Sequence, residues 1–320
     1  MAAPARPLER LVADRLRGVS SACVASSGGV DSSVVLAVAA RALGAENVVA
    51  VTAVAPVMIP GEDEAAARLA GELGVAHVRV AVPLLDEPAF VANGRDRCYV
   101  CKGMVLDAVR AVAAERGCDA VVDGANRDDL GDVRPGIRAA DERGVRHPLV
   151  EAGLGKEDVR GLARDLGLAA WDAPAQACLA SRIPYGERIS DEALRRIAAA
   201  EGALHELGFR ACRVRAHGRL ARVEVPAAEI GRAGGARREE IARRLRALGF
   251  TWVALDLDGL RTGSLNEAPP ADRPNEAPRT GSLSEAPLTE GSDATPHKAS
   301  DAGGPPGGAA APPGAAHVVP

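Results

Sequence analysis

Ser27-Gly28-Gly29-Val30-Asp31-Ser32-Ser33 decides how this chain folds. An apolar run, Ala22 to Ala25, leads into it, and Val34 to Leu43 leaves it with helical spacing, so the order is strand, glycine turn, helix. The two glycines tolerate positive φ and let backbone approach a ligand closely. Ser32 and Ser33 fall where the helix begins, so free amide hydrogens and the positive end of the dipole face whatever fills the turn. Such a turn prefers phosphate. It lacks the Gly-Lys-Ser/Thr ending of a Walker loop and the three spaced glycines of a dinucleotide fingerprint. A plain glycine turn is the alternative, and the Ser, Asp and Ser-Ser around the glycines count against it.

Outward from that turn, Asn47 to Val54 reads as a second buried strand, Glu62 to Leu73 as an amphipathic helix, and His77 to Val82 as a third strand. A loop holding Arg97-Cys98-Tyr99-Val100-Cys101-Lys102 runs into a long helix that closes at Gly117. Ala120 to Asp123 is a fourth strand, Gly124 to Gly136 a polar loop, His147 to Val150 a short fifth strand, and Lys156 to Leu166 a helix. Strands alternating with helices predict an α/β fold, a doubly wound and mainly parallel sheet covered on both faces. Ligands then bind beyond the carboxyl ends of the strands. The Ser27, Cys98 and Gly124 loops lie at that edge and should converge.

From Ala175 the pattern changes. A loop, Gln176 to Ser190, leads into a helix from Asp191 to Leu207 that Ser190 is placed to cap. The strands Cys212 to His217 and Leu220 to Val225 follow around a tight turn at Gly218, then a basic helix, Arg237 to Leu248, and the strand Trp252 to Leu257. This order predicts a small α+β domain with mainly antiparallel pairing. The expected organisation is a nucleotide domain over 1–175, an α+β substrate and oligomerisation domain over 176–262, and a disordered tail over 263–320. That tail holds half of the 22 prolines and cannot bury enough apolar surface to offset its ordering entropy. It includes a near-duplicate, Arg261 to Pro269 and Arg279 to Pro287, which reads as replication slippage or a docking motif.

A chain of 320 residues with 47% apolar content supports a real core, and with only 2% aromatics that core is aliphatic. The net charge of −4 gives no overall pull towards nucleic acid. No apolar run reaches the roughly 18 residues of a membrane span. Met1 to Leu16 reads as an amphipathic helix without the apolar core of a signal peptide, so a cytoplasmic protein is expected.

Six cysteines in a chain this long are no disulfide scaffold, so their positions carry the information. Cys98-x-x-Cys101 at a helix start is open to three readings: a redox pair, half a zinc site, or two ligands of an iron–sulfur cluster. His77 and His147 are poorly placed in sequence to complete a zinc site. Cys178, in the loop Gln176 to Gly186, is a third thiol able to face the same cleft, and three thiolates leave one iron of a 4Fe–4S cluster open. Packing near a helix start and a half-buried loop cysteine are the bland alternatives. Cys23, Cys118 and Cys212 read as small core hydrophobes. The loop from Asp123 to Gly136, with Asp128 and Asp129, suits Mg²⁺, which takes few carboxylates and keeps water and phosphate oxygens; Asp31 is another candidate. Arg213 and Arg215, two apart, share a strand face and make either an anion site or a solvated face.

Taken together, SGGVDSS, RCYVCK, DGANRDDLGDVRPG, ACLASRIPYG and DLDGLRTGSLNE resemble the LarE family, over about residues 8 to 267. These are ATP-dependent sulfur transferases of the PP-loop (pyrophosphate loop) ATP pyrophosphatase superfamily that help build the nickel-pincer nucleotide cofactor of lactate racemase. The resemblance implies a PP-loop domain with a small C-terminal domain, assembled as a homo-oligomer. It implies adenylation of a carboxylate of pyridinium-3,5-biscarboxylic acid mononucleotide, release of pyrophosphate, and delivery of sulfur to give a thiocarboxylic acid. Enzymes upstream and downstream would supply the biscarboxylate and take the product. One variant of the family sacrifices the sulfur of a cysteine matching Cys178; the other holds a 4Fe–4S cluster on three cysteines, which Cys98, Cys101 and Cys178 match. Ser27 to Ser33 would bind the ATP pyrophosphate. Arg213 and Arg215 match a substrate-phosphate pair, Ser181 and Arg182 join the substrate site, and Glu201 matches a nearby acidic position that could take a divalent cation. Three rivals remain: a PP-loop tRNA thiolase with a cluster, an amide-forming ATP pyrophosphatase, and a non-enzymatic nucleotide-binding scaffold.

Overall fold

The computed structural model describes residues 7–130, 135–174 and 176–261. The expected tail, its repeat, and Asp132 to Arg134 of the acidic loop lie outside the described residues. The first half runs α1 (Pro7–Asp14), β1 (Ala22–Ala25), α2 (Val30–Leu43), β2 (Val48–Val54), α3 (Glu62–Leu73), β3 (Ala76–Ala81), α4 (Pro88–Val91), α5 (Arg97–Glu115), β4 (Ala120–Val122), α6 (Pro135–Asp141), α7 (Pro148–Glu151) and α8 (Lys156–Asp165). The second half runs α9 (Asp191–Glu206), β5 (Arg213–His217), β6 (Leu220–Glu224), α10 (Ile230–Gly234), α11 (Arg238–Ala247) and β7 (Trp252–Leu255).

The first sheet is wholly parallel, in the order β3-β2-β1-β4, with Ala22 opposite both Val48 and Ala120. A parallel sheet covered on both faces needs apolar residues on both sides of its central strands. Val48 to Ala53 supply this without a break: every residue is buried. α2 is apolar nearly all round and buried from Ser32 to Ala40, as a helix between sheet and neighbouring helices must be. β3, at one edge, has no fully buried residue. The α/β, parallel-sheet expectation holds.

Three expectations are corrected. His147 to Val150 is not a strand: only Arg146 bridges to Val122, and Pro148 opens α7 at a first helical position, where its locked φ and missing N–H cost nothing. The Cys98 segment is not a loop, because α5 begins at Arg97 and carries both cysteines in its first turns. The second sheet, β5-β6-β7, is only half antiparallel: β5 and β6 form the expected hairpin, but β7 returns through α10 and α11 to pair parallel with β6. Ser190 caps α9 as expected, its hydroxyl accepting from the Ala193 N–H at 3.2 Å.

One apolar core is shared by the two sheets. Ala53, Val57, Val82, Leu84, Phe90 and Val91 from the first half pack in a single cluster with Leu179, Ile189 and α9, β5 and β6 residues such as Ile197, Val214 and Val223. No helix among the described residues is long and apolar enough to cross a membrane.

Candidate functional site

The glycine turn leaves β1 at its carboxyl end and enters α2. Gly28 has φ 83°, and a side chain there would meet the Glu62 carbonyl oxygen at 2.2 Å, so backbone crowding as well as φ demands glycine. Gly29 is the extended N-cap residue, and no side chain caps the helix. The serines brace the turn from within: Ser32 Oγ accepts from the Ser27 N–H at 3.2 Å and lies 3.1 Å from the Gly29 carbonyl, and the two hydroxyls are 3.3 Å apart. The amides of the first turn are therefore set for an anion.

The Gly124 loop converges on this turn. A side chain on Gly124 would meet the Ser32 amide nitrogen at 2.6 Å, and Asn126 donates to Asp31 Oδ1 at 3.1 Å. Burial raises the pKa of Asp31; the Asn126 hydrogen bond opposes this and the Asp129 charge adds to it. Asp31 and Asp129 thus lie close enough to sense each other, and Lys156, whose Nζ is 3.8 Å from Asp129 Oδ1, offsets part of that repulsion. Asp129 also caps the turn that Asn126 begins, accepting from the Asn126 N–H at 3.2 Å. Asp128 is turned instead towards α8, where it accepts from the Lys156 N–H at 2.8 Å. Asn126 is a residue that sequence reasoning passed over; its signal is the Asn-x-x-Asp capping box.

The three thiols also come together. Burial pushes Cys101 up to about 12, and the nearby Cys178 and Cys98 add to the shift while Arg97 and Lys102 oppose it. Burial raises Cys178 too, with Arg97 and Arg182 pulling the other way and Cys98 adding. Two unexpected residues hold this grouping. Asn93, fully buried with φ 56°, donates to the carbonyls of Ile183, Pro184 and Glu187. Arg97, also buried, donates to Asn93 Oδ1 at 2.6 Å and to the Ala180 carbonyl at 3.0 Å, and reaches Cys98 Sγ at 3.9 Å. Together they tie the start of α5 to the Cys178 loop. Among the described residues, no three His, Cys, Asp or Glu side chains are gathered to hold a single metal ion. The donor set of three thiols around one region suits, in kind, the wider cluster chemistry of iron and sulfide.

Arg182 is 1% exposed and forms a bidentate pair with Glu201 at 2.8 and 3.0 Å. It also donates to the Cys178 carbonyl and to Ser181 Oγ. Glu201 further accepts from the Val214 N–H at 2.9 Å, so its oxygens are held by Arg182 and β5. Arg215 repeats the pattern, bidentate on buried Glu224 at 2.9 and 3.0 Å and donating to the Ser181 carbonyl at 2.6 Å. Arg213 donates to the Arg261 carbonyl. Its pKa is lowered by burial and then by the charges of Arg215 and Arg182. Arg222 also reaches Glu224 at 3.0 Å and Asp256 at 3.5 Å, so four guanidiniums meet three carboxylates beside a cleft lined by Gln176, Arg182, Arg210, Cys212 and Arg213. Glu62 links this region to the glycine turn. Its carboxyl is pushed up to about 7 by burial, while the Ile59 backbone and the charge of Arg182 pull it down.

Comparison with known proteins gives a consistent picture. The family described as asparagine synthase matches residues 5–87, the part that carries the glycine turn. A pyridinium-3,5-bisthiocarboxylic acid mononucleotide synthase of Lactiplantibacillus plantarum is 39% identical over 252 residues, covering 79% of this chain and 91% of that protein. An uncharacterized protein of Synechocystis sp. is 44% identical over 246 residues, 77% of this chain and 91% of that protein. Another, of Methanocaldococcus jannaschii, is 31% identical over 172 residues, 54% of this chain and 67% of that protein.

Proposed function

We propose that this chain, which belongs to the LarE family of pyridinium-3,5-bisthiocarboxylic acid mononucleotide synthases, is an ATP-dependent sulfurtransferase acting on a pyridinium mononucleotide carboxylate. The observation that carries the reading is the nearness of three parts: an anion-ready turn, the thiols of Cys101 and Cys178 packed against one apolar cluster beside Cys98, and an arginine cluster that reaches the Cys178 loop and senses Glu62.

A carboxylate is a poor electrophile, and adenylation gives it a leaving group. The substrate oxygen attacks the α-phosphorus of ATP, the bond to the β-phosphate oxygen breaks, and pyrophosphate leaves. The amides at Gly29 to Ser32 stabilise the charge that builds on the leaving phosphates. Asp31 and Asp129 would hold Mg²⁺, which offsets the same charge. Arg213 orients the substrate phosphate, with Arg215 and Arg182 fixed beside it by Glu224 and Glu201. Sulfur then attacks the acyl carbon, its bond to the AMP oxygen breaks, and AMP leaves.

Cys98, Cys101 and Cys178 would hold a 4Fe–4S cluster, whose open iron supplies a site for the sulfide to be transferred. Burial raises the pKa of the Cys101 and Cys178 thiols, while Arg97 opposes the shift at both. The second reading, in which Cys178 gives up its own sulfur and becomes dehydroalanine, is supported by the Arg182 hydrogen bond to the Cys178 carbonyl and by the Arg97 and Arg182 charges beside its thiol. The substrate is a small nucleotide, the assembly a homo-oligomer, and partner enzymes make the biscarboxylate and consume the thiocarboxylate.

The test is anaerobic purification, with iron and sulfide analysis, a visible spectrum, and the protein mass before and after turnover with ATP and the biscarboxylate nucleotide. Four irons per chain and an unchanged mass are expected. An iron-free protein that loses the mass of H₂S at Cys178 would establish the sacrificial route. Thiolation of tRNA but not of the pyridinium nucleotide would overturn the substrate assignment.

A further inference from the structure

Lys102, Asp123, His147 and Asp141 form a continuous chain of charged groups that the steps above leave unused. Lys102 follows Cys101 on α5, and its Nζ is 2.8 Å from Asp123 Oδ2. Asp123, 3% exposed, comes straight after β4. Its other oxygen is 2.6 Å from His147 Nδ1 and accepts from the Ala125 N–H at 3.1 Å. His147, itself buried, has Nε2 3.2 Å from Asp141 Oδ1 on α6. Its backbone N–H donates to Glu151, which pairs with Arg146. Both ring nitrogens therefore face carboxylates, an arrangement that an imidazolium satisfies with two donated hydrogen bonds.

Position gives this chain its meaning. The residue after Asp123 is Gly124, whose backbone presses on Asp31 and Ser32 of the phosphate turn. Lys102 follows Cys101 in the chain and reaches Asp123, the neighbour of Gly124, with a third of its side chain exposed. A lone buried aspartate on a mobile ammonium would hold it in several geometries; an aspartate clamped from behind by a histidine holds it in one.

We infer that His147 is a positioning residue for adenylation: anchored by Asp141, it fixes Asp123, and Asp123 aims the Lys102 ammonium at phosphates bound over Ser27 to Ser33. This rests on the ATP-dependent reading above. Misplacing a charged group by about 1 Å can cost on the order of a hundredfold in rate.

The experiment uses the full-length protein and follows pyrophosphate release in a single turnover with ATP and the biscarboxylate nucleotide, with ATP affinity measured by calorimetry. His147→Ala should slow release about tenfold or more, and His147→Asn, which keeps a donor for Asp123, should recover most of that loss. Lys102→Met should slow it at least as much, and His147→Ala combined with Lys102→Met should be no slower than Lys102→Met alone, because the histidine acts through the lysine. Asp141→Asn, at an exposed partner, should give a smaller loss that also vanishes in the Lys102→Met background. Equal losses in His147→Ala and His147→Asn, losses that multiply in the double variant, or wild-type rates in both His147→Ala and Asp141→Asn would overturn the inference. A wild-type protein that binds ATP yet releases no pyrophosphate with this nucleotide counts against the parent reading alone. The same non-additive pattern must then be found in ATP affinity, and multiplying losses there overturn the inference.

Discussion

Glu62 carries a carboxyl that the fold prefers uncharged, and its cause is burial, partly offset by the Ile59 backbone and Arg182. A folded pKa raised from 4.5 to about 7 means the associated stability is complete below 4.5 and is lost as pH climbs through 7. Glu62→Gln should therefore raise Tm well above pH 7 and leave it nearly unchanged below 4.5, read by thermal melts at both pH values. A larger gain at the acid end would reverse the assignment. Arg182 and Glu201 allow a different test, since both are buried and bidentate. Arg182→Met alone strands a buried carboxylate and should cost about 3–5 kcal/mol in urea unfolding, while Arg182→Met with Glu201→Leu should recover most of it. The family resemblance marks Arg182 and Ser181 as substrate-side residues and Glu201 as an acidic position for a divalent cation. It does not reveal that Arg182 and Arg215 arrive already matched to carboxylates, because Glu201 meets Arg182 through packing of α9 and Glu224 meets Arg215 through the register of the β5–β6 hairpin.

At the scale of elements, the phosphate turn was the most legible part. Its strand, glycines and helix are local, and local chemistry dictates them. The start of α5 was less so: Arg97-Cys98-Tyr99-Val100-Cys101-Lys102 has no apolar period, and Arg97, its first residue, is held by Asn93 and the Ala180 carbonyl, partners that only the fold brings together. β7 escaped for a similar reason, since parallel return is settled by where α11 packs, and nothing in Trp252 to Leu255 announces direction. Asn93 is the joint between these elements. Asn93→Gly keeps the positive φ but removes the amide that holds three carbonyls of the Cys178 loop. Alkylation of Cys178 should then speed up several-fold at unchanged secondary structure, followed by mass spectrometry; a rate equal to wild type would show the loop to be held elsewhere.

For the whole molecule, the shared core between the sheets predicts a single unfolding transition across 7–261, whatever domain boundary the change of pattern at 175 suggests. The chain's two tryptophans make this measurable: Trp171 follows α8 in the first half and Trp252 opens β7 in the second. Single-tryptophan variants, Trp171→Phe and Trp252→Phe, should report the same urea midpoint as circular dichroism, and two separated midpoints would divide the unit. Phe90→Ala, in the joining cluster at 1% exposure, should lower both probes together by about 3–5 kcal/mol. One shared core also makes every ligand a stabiliser of the whole chain. ATP at about a hundred times its dissociation constant adds about 2.7 kcal/mol to unfolding. With a single cooperative unit, that gain protects the α9–β7 half as fully as the phosphate turn, so nucleotide occupancy can be read from the fluorescence of Trp252, on a strand of the other sheet.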